Sequence, residues 1–155
     1  MSMVGRSIPA MTTQLAPYLN FAGTAREVLG FYASVLGGTP QITTYAEFSH
    51  EDEGDHVMHG ALETDSGLSL FVADDLRPDS PRQDGPVDPG WVTLALMGDD
   101  DAALRRWWAG LAEGGEITVP LETAPWGASF GELHDRYGVK WMVNISAPAP
   151  AEPTA

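Results

Sequence analysis

Apolar residues recur along this chain in two rhythms. In "TAREVLGFYASVLGG" (24–38), Val28, Phe31, Tyr32 and Val35 fall on one side of a 3.6-residue turn, and Thr24 with Glu27 reads as a capping box. In "DDAALRRWWAGLAEGG" (100–115), Leu104, Trp107, Trp108 and Leu111 repeat that spacing behind an aspartate cap. Each helix stops at a glycine pair, Gly37-Gly38 and Gly114-Gly115, suited to a left-handed end. At helical spacing the paired tryptophans read as core rather than as a ligand box. Elsewhere the pattern is strand-like, and strands are predicted at 15–21, 40–48, 57–64, 67–74, 91–97, 116–122, 128–135 and 138–145.

The order of elements repeats. "GALETDSGLSLFV" (60–72) and "GELHDRYGVKWMV" (131–143) align without a gap, matching Gly60 with Gly131, Gly67 with Gly138, Leu70 with Trp141 and Val72 with Val143. Each half therefore reads strand, helix, strand, strand, strand. Units this short cannot cover their own sheets, so the two should share one core. The predicted fold is α+β: two pseudo-symmetric βαβββ modules forming a curved mixed sheet around a cavity, with helices on the outside. Residues 14–146 form the single domain, with modules at about 14–75 and 90–146. The proline- and acid-rich segment 76–89 reads as an exposed linker. Residues 1–13 and 147–155 are expected to be a disordered leader and tail.

Side chains alternate along a strand, so each face can be assigned by parity. Val139, Trp141, Val143 and Ile145 form the unbroken apolar set and should meet the helices. The opposite face then carries Lys140, Met142 and Asn144. By the same parity it receives Ser69, Phe71 and Ala73; Trp91, Thr93 and Ala95; His59, Ala61 and Glu63; Phe130, Glu132 and His134; and Tyr18 with Asn20. Mixed aromatic, small and polar side chains suit the lining of a ligand cavity.

Composition narrows the function. A chain of 155 residues can bury roughly 68–70% of its unfolded surface. No stretch approaches the ~18 apolar residues of a membrane span, and "MSMVGRSIPAMTTQ" lacks the apolar run of a signal peptide. Cysteine is absent, which excludes disulfides, thiol catalysis and thiolate metal sites. A cytoplasmic location is the default expectation. With 22 acids against 8 Lys and Arg, the net charge is −14, which argues against nucleic acid and favours solubility and cationic small molecules.

"PYLNFAGTAREVLGFYASVLGG", "HVMHGAL" and "PWGASFGELHDRYGVKWMVN" together resemble the vicinal oxygen chelate superfamily, which groups glyoxalase I, extradiol dioxygenases and bleomycin-resistance proteins. The closer resemblance is to its PhnB-like branch, over about residues 15–146. Members of that branch are often labelled 3-demethylubiquinone-9 3-methyltransferase-like. Methyl transfer has no support in the residues, since no glycine-rich cofactor loop follows a first strand. The resemblance implies a homodimer whose cavities take walls from both chains. It also implies four inward-facing metal positions, which fall here on Ala16 or Pro17, Phe71, Trp91 and Met142. None is a plausible ligand for a divalent ion, so neither metal nor cofactor is expected.

What remains is a set of polar and aromatic candidates for a small organic ligand: Tyr18, Asn20, His59, Phe71, Trp91, Trp126, Phe130 and Met142. His59 is the one candidate for catalysis, as a general base in an isomerase or lyase, against the alternative of a histidine satisfied by backbone or by Tyr18. Glu63 and His134 hold equivalent repeat positions, either as a pair across the pseudo-two-fold or as two solvated rim residues. His56 and His59 should point to opposite faces. "SHEDEGDH" lacks the alternating oxygen ligands of a calcium loop. For Trp126, aromatic wall and packing weigh equally. The favoured reading is metal-free binding or sequestration, with turnover left open.

Overall fold

The computed structural model describes residues 13–49, 54–77 and 92–147. Nearly all of the expected leader, linker and tail lies outside the described residues, as does Trp91. The first module runs β1 (Tyr18–Phe21), α1 (Ala25–Leu36), β2 (Gln41–Thr44), α2 (Tyr45–Ser49), β3 (Val57–Glu63) and β4 (Ser69–Asp74). The second runs β5 (Leu94–Gly98), α3 (Asp101–Ala112), β6 (Glu116–Thr123), β7 (Ser129–His134) and β8 (Lys140–Ile145). The expected two modules are present. Each module contributes one four-stranded mixed sheet, ordered β1-β4-β3-β2 in the first and β5-β8-β7-β6 in the second. In each, the module's first strand lies parallel to its last and the other pairs are antiparallel.

The repeat shows in atomic detail. In the β3–β4 turn Thr64 N–H reaches Leu68 O, Gly67 N–H reaches Thr64 O, and Gly67 has φ +89°. In the β7–β8 turn Asp135, Val139 and Gly138 repeat those bonds, and Gly138 has φ +80°, a left-handed conformation that favours glycine. Gly60 and Gly131 also match in purpose. A Cβ on Gly60 would stand 2.9 Å from Val72 and 3.0 Å from Leu29, and one on Gly131 would stand 2.7 Å from Trp108. Each glycine lets its helix approach the sheet.

α1 buries Ala25, Val28, Leu29, Tyr32 and Leu36 against β3 and β4, while Phe31 and Val35, expected in the core, are half-buried toward the second module. α3 buries Ala103, Leu104, Trp108 and Leu111 against β5, β7 and β8. Trp107 is half-buried beside the core. The two helices touch, with Gly110 so close to Val35 that a Cβ would lie 2.9 Å from it.

Two local expectations need correction. Thr24 makes no capping bond. The α1 terminus is held instead by Asp74, 1% exposed, whose carboxylate accepts from Gly23 and Ala25 N–H, and from Val57 N–H, each at 2.9 Å. Being anionic at a helix start, it also suits the helix dipole. The strand expected over 40–48 ends at Thr44, where a capping box forms: Thr44 Oγ1 accepts from Glu47 N–H at 3.2 Å, and Glu47 Oε2 accepts from Thr44 N–H at 3.0 Å. That exchange turns the chain into α2.

Candidate functional site

The face parity holds for the apolar set, but Ala73, assigned to the opposite face, is buried at the end of β4. Leu62, Leu70 and Val72 in the first sheet, and Leu133, Val139, Trp141, Val143 and Ile145 in the second, are buried on the helix side. Among the described residues, no helix lies along the other face of either sheet. On the first sheet, Tyr18 on β1 is in register with Phe71 on β4, Phe71 with Ala61 on β3, and Ala61 with Gln41 on β2. His59 is in register with Thr43. The rings form one cluster: Tyr18 and His59 centroids lie 5.6 Å apart, Tyr18 and Phe71 6.0 Å, and His59 stacks on Phe71 at 5.5 Å and 27°. The Tyr18 hydroxyl and His59 Nδ1 are hydrogen bonded at 2.8 Å. Burial pushes the Tyr18 phenol up from its ordinary pKa, so it stays protonated and neutral. Asn20 lies two residues along β1, on the same face by alternation. A polar groove of about 740 Å³ adjoins the cluster, lined by Gln41, Ala61, Glu63 and Asp65 among others.

Phe130 and Met142 occupy the open face of the second sheet. Phe130 is in register with Asn144, Met142 with Glu132, and the Lys140 ammonium lies 3.9 Å from the Glu132 carboxylate. Trp126 sits 76% exposed in the β6–β7 turn, where Gly127 has φ +96°. A single chain thus gathers Tyr18, Asn20, His59 and Phe71 on one sheet and Phe130 and Met142 on the other. Strands of the two sheets do not pair among the described residues.

His56 and His59 do diverge, His56 Nδ1 lying 3.6 Å from the buried Asp74 on the helix side. Glu63 borders the polar groove, whereas His134 is paired with Lys140 and Glu116 in the second sheet. Thr43, Gln41 and the exposed Met97 also belong to the open faces, and the sequence reading missed them. Alternation along the strand puts Gln41 and Thr43 on one face, and their register with Ala61 and His59 shows that it is the open one.

The donor set does not suit a divalent ion at the four positions implied by the family. Phe71 presents a ring stacked on an imidazole, Met142 a thioether, and the first-strand position only Ala16 or Pro17.

The Glyoxalase/Bleomycin resistance protein/Dioxygenase superfamily model matches residues 14–143, and the chain belongs to that superfamily. Among individual proteins, it is similar to Protein YjdN of Escherichia coli, with 25% identity over 145 residues, covering 89% of this chain and 99% of the relative. Among solved structures, it is similar to protein PA1353 of Pseudomonas aeruginosa, with TM-score 0.71, 36% identity and coverage of 87% of this chain and 98% of the other. The PhnB protein of Bacillus cereus shares the fold at TM-score 0.65 and 23% identity, covering 86% of this chain and all of the other.

Proposed function

We propose that this chain is a binding protein for a flat small organic molecule, and that Tyr18, His59 and Phe71 form its contact surface without a metal. The observation that carries this reading is the Tyr18–His59–Phe71 cluster. It joins three rings and a hydrogen-bonded polar pair on a sheet face that no helix covers among the described residues. Stacking supplies affinity and the polar atoms fix orientation. In this reading a homodimer brings the second-sheet face of the partner copy, with Phe130 and Met142, over the first-sheet face of its mate. Net charge −14 favours neutral or cationic molecules over anions.

A panel of neutral and cationic aromatic heterocycles, titrated by thermal shift and by quenching of tryptophan fluorescence, tests the proposal. Phe71→Ala and His59→Ala should weaken binding about tenfold or more, in line with ~1.4 kcal/mol per decade. Both variants should melt close to the parent, because neither side chain is in the core. Unchanged affinity in both would move the site elsewhere.

A further inference from the structure

The contact between Tyr18 and His59 has a direction, and that direction decides what the imidazole can offer a ligand. A neutral imidazole carries one N–H and one lone pair on its two nitrogens, whereas a phenol hydroxyl can donate or accept. Of the two ways to fill the 2.8 Å contact, donation from the phenol to the ring is the stronger. A phenol O–H is more acidic than an imidazole N–H, and the imidazole lone pair is more basic than a phenol oxygen. With Tyr18 holding its proton, its hydroxyl has one to give, and Nδ1 is the acceptor it meets. The ring's own proton must then sit on Nε2. Phe71, stacked at 27° on one face of the imidazole, limits the rotation that would exchange the nitrogens.

We infer that Tyr18 is a positioning residue that holds His59 as its Nε2–H tautomer, so that the site selects planar molecules bearing a hydrogen-bond-accepting carbonyl oxygen. This rests on the reading that the open face of the first sheet binds a ligand. It also bears on the general-base role considered for His59: a nitrogen that already carries hydrogen has no lone pair with which to take a proton from a substrate. Nε2 has no hydrogen-bond partner in the protein among the described residues, so its N–H is free for the ligand. Leaving that N–H unpaired against an apolar isostere is what creates the selectivity.

The tautomer can be read without any ligand. In ¹⁵N-histidine NMR at about pH 9, where imidazoles are neutral, His59 should show an unprotonated Nδ1 and a protonated Nε2. The signal is assigned by its disappearance in His59→Gln. In Tyr18→Phe both nitrogens should move toward the exchange-averaged position. A protonated Nδ1 in the parent, or no change in Tyr18→Phe, overturns the inference. The ligand class is tested with 2-acetylnaphthalene and 2-isopropenylnaphthalene, which differ in a C=O against a C=CH₂. The ketone should bind about three- to tenfold tighter, and His59→Phe should abolish that preference while retaining both affinities near the hydrocarbon's. Equal affinity of the two probes for the parent overturns the proposed ligand class. Failure of both to bind, with the expected tautomer present, would instead overturn the binding role of this face and leave the Tyr18–His59 assignment standing.

Discussion

Asp135 is 3% exposed, and its carboxylate accepts four hydrogen bonds. Oδ1 takes Tyr137 N–H at 2.9 Å and Val139 N–H at 3.1 Å; Oδ2 takes the Trp141 indole N–H at 2.9 Å and the Tyr32 hydroxyl at 2.6 Å. The last of these crosses from α1 of the first module to a turn of the second, so one side chain shapes the β7–β8 turn and locks the modules together. Bonds to a charged acceptor are worth ~1.5–3 kcal/mol each, and their loss strands buried donors. Asp135→Ala should therefore cost about 3–5 kcal/mol in urea unfolding; a loss under about 1 kcal/mol would show that the junction does not depend on it. Tyr32 adds a pH dependence. Burial, and then the negative charge of Asp135, push its phenol well above the ordinary value of 10.0. Below pH 10 both folded and unfolded chains hold that proton, and its contribution to stability is complete. Above 10 the unfolded chain releases it while the folded chain does not, so stability falls as pH rises, by up to ~1.4 kcal/mol per pH unit. Unfolding at pH 8.5 and 11 should show a smaller alkaline loss in Tyr32→Phe than in the parent, because Phe removes this phenol and leaves the milder contributions of Tyr18 and Tyr137.

At the scale of helices and strands, the spacing between layers is set by glycines. Gly131→Ala would place a Cβ 2.7 Å from Trp108 and 2.9 Å from the Leu121 backbone, which cannot swing aside. It should cost about 1–3 kcal/mol, as overpacking does. Gly30→Ala, on the open side of α1 with nothing within 4 Å, should instead stabilise by about 0.5–1 kcal/mol. Equal effects on thermal melting would mean that the close helix–sheet approach is not a constraint. The two exposures of tryptophan separate in the same way. Trp141, buried and bonded to Asp135, should lose about 3–5 kcal/mol on replacement by Ala, whereas the exposed Trp126 should lose under about 0.5. Strand and helix order, the repeat and the two faces were legible because each is a local period: Tyr18, His59 and Phe71 share a face through plain alternation. The capping was not. Thr24-x-x-Glu27 and Thr44-x-x-Glu47 are the same signal, and the choice between them was made by Asp74, fifty residues from Thr24 along the chain. Glu27 instead bears on Tyr137, whose phenol is pushed up first by burial and then by the negative charge of Glu27. The relation of the two open faces was also hidden, since it depends on how the modules pack. That packing rests on the Tyr32–Asp135 bond and the Gly110–Val35 contact, which no periodicity announces.

At the scale of the whole molecule, the helices cover one face of each sheet, and among the described residues none lies along the other. The bare faces and strand ends expose Tyr18 (46%), Met97 (65%) and Phe130, and Trp126 stands out at the turn beside them. Among the described residues β1, β2, β5 and β6 each pair on one side only, so four edges of the sheets are left to be covered. Such apolar faces and unpaired edges are what a second copy would cover, and a two-fold pairing would set the first sheet of one chain against the second sheet of its mate. Against this stands charge: two chains of −14 each repel, a cost that salt screens. Light scattering at micromolar concentration should therefore give twice the 16.6 kDa of one chain. The dimer should also tighten between about 0.02 and 0.3 M salt, opposite to an assembly held by ion pairs. Met97→Lys with Phe130→Lys should shift the mass to one chain and weaken ligand binding at Tyr18, His59 and Phe71 in step, since the second wall leaves with the partner. A mass of 16.6 kDa at every salt concentration, with ligand still bound, would mean that the first-sheet face works alone as an open platform.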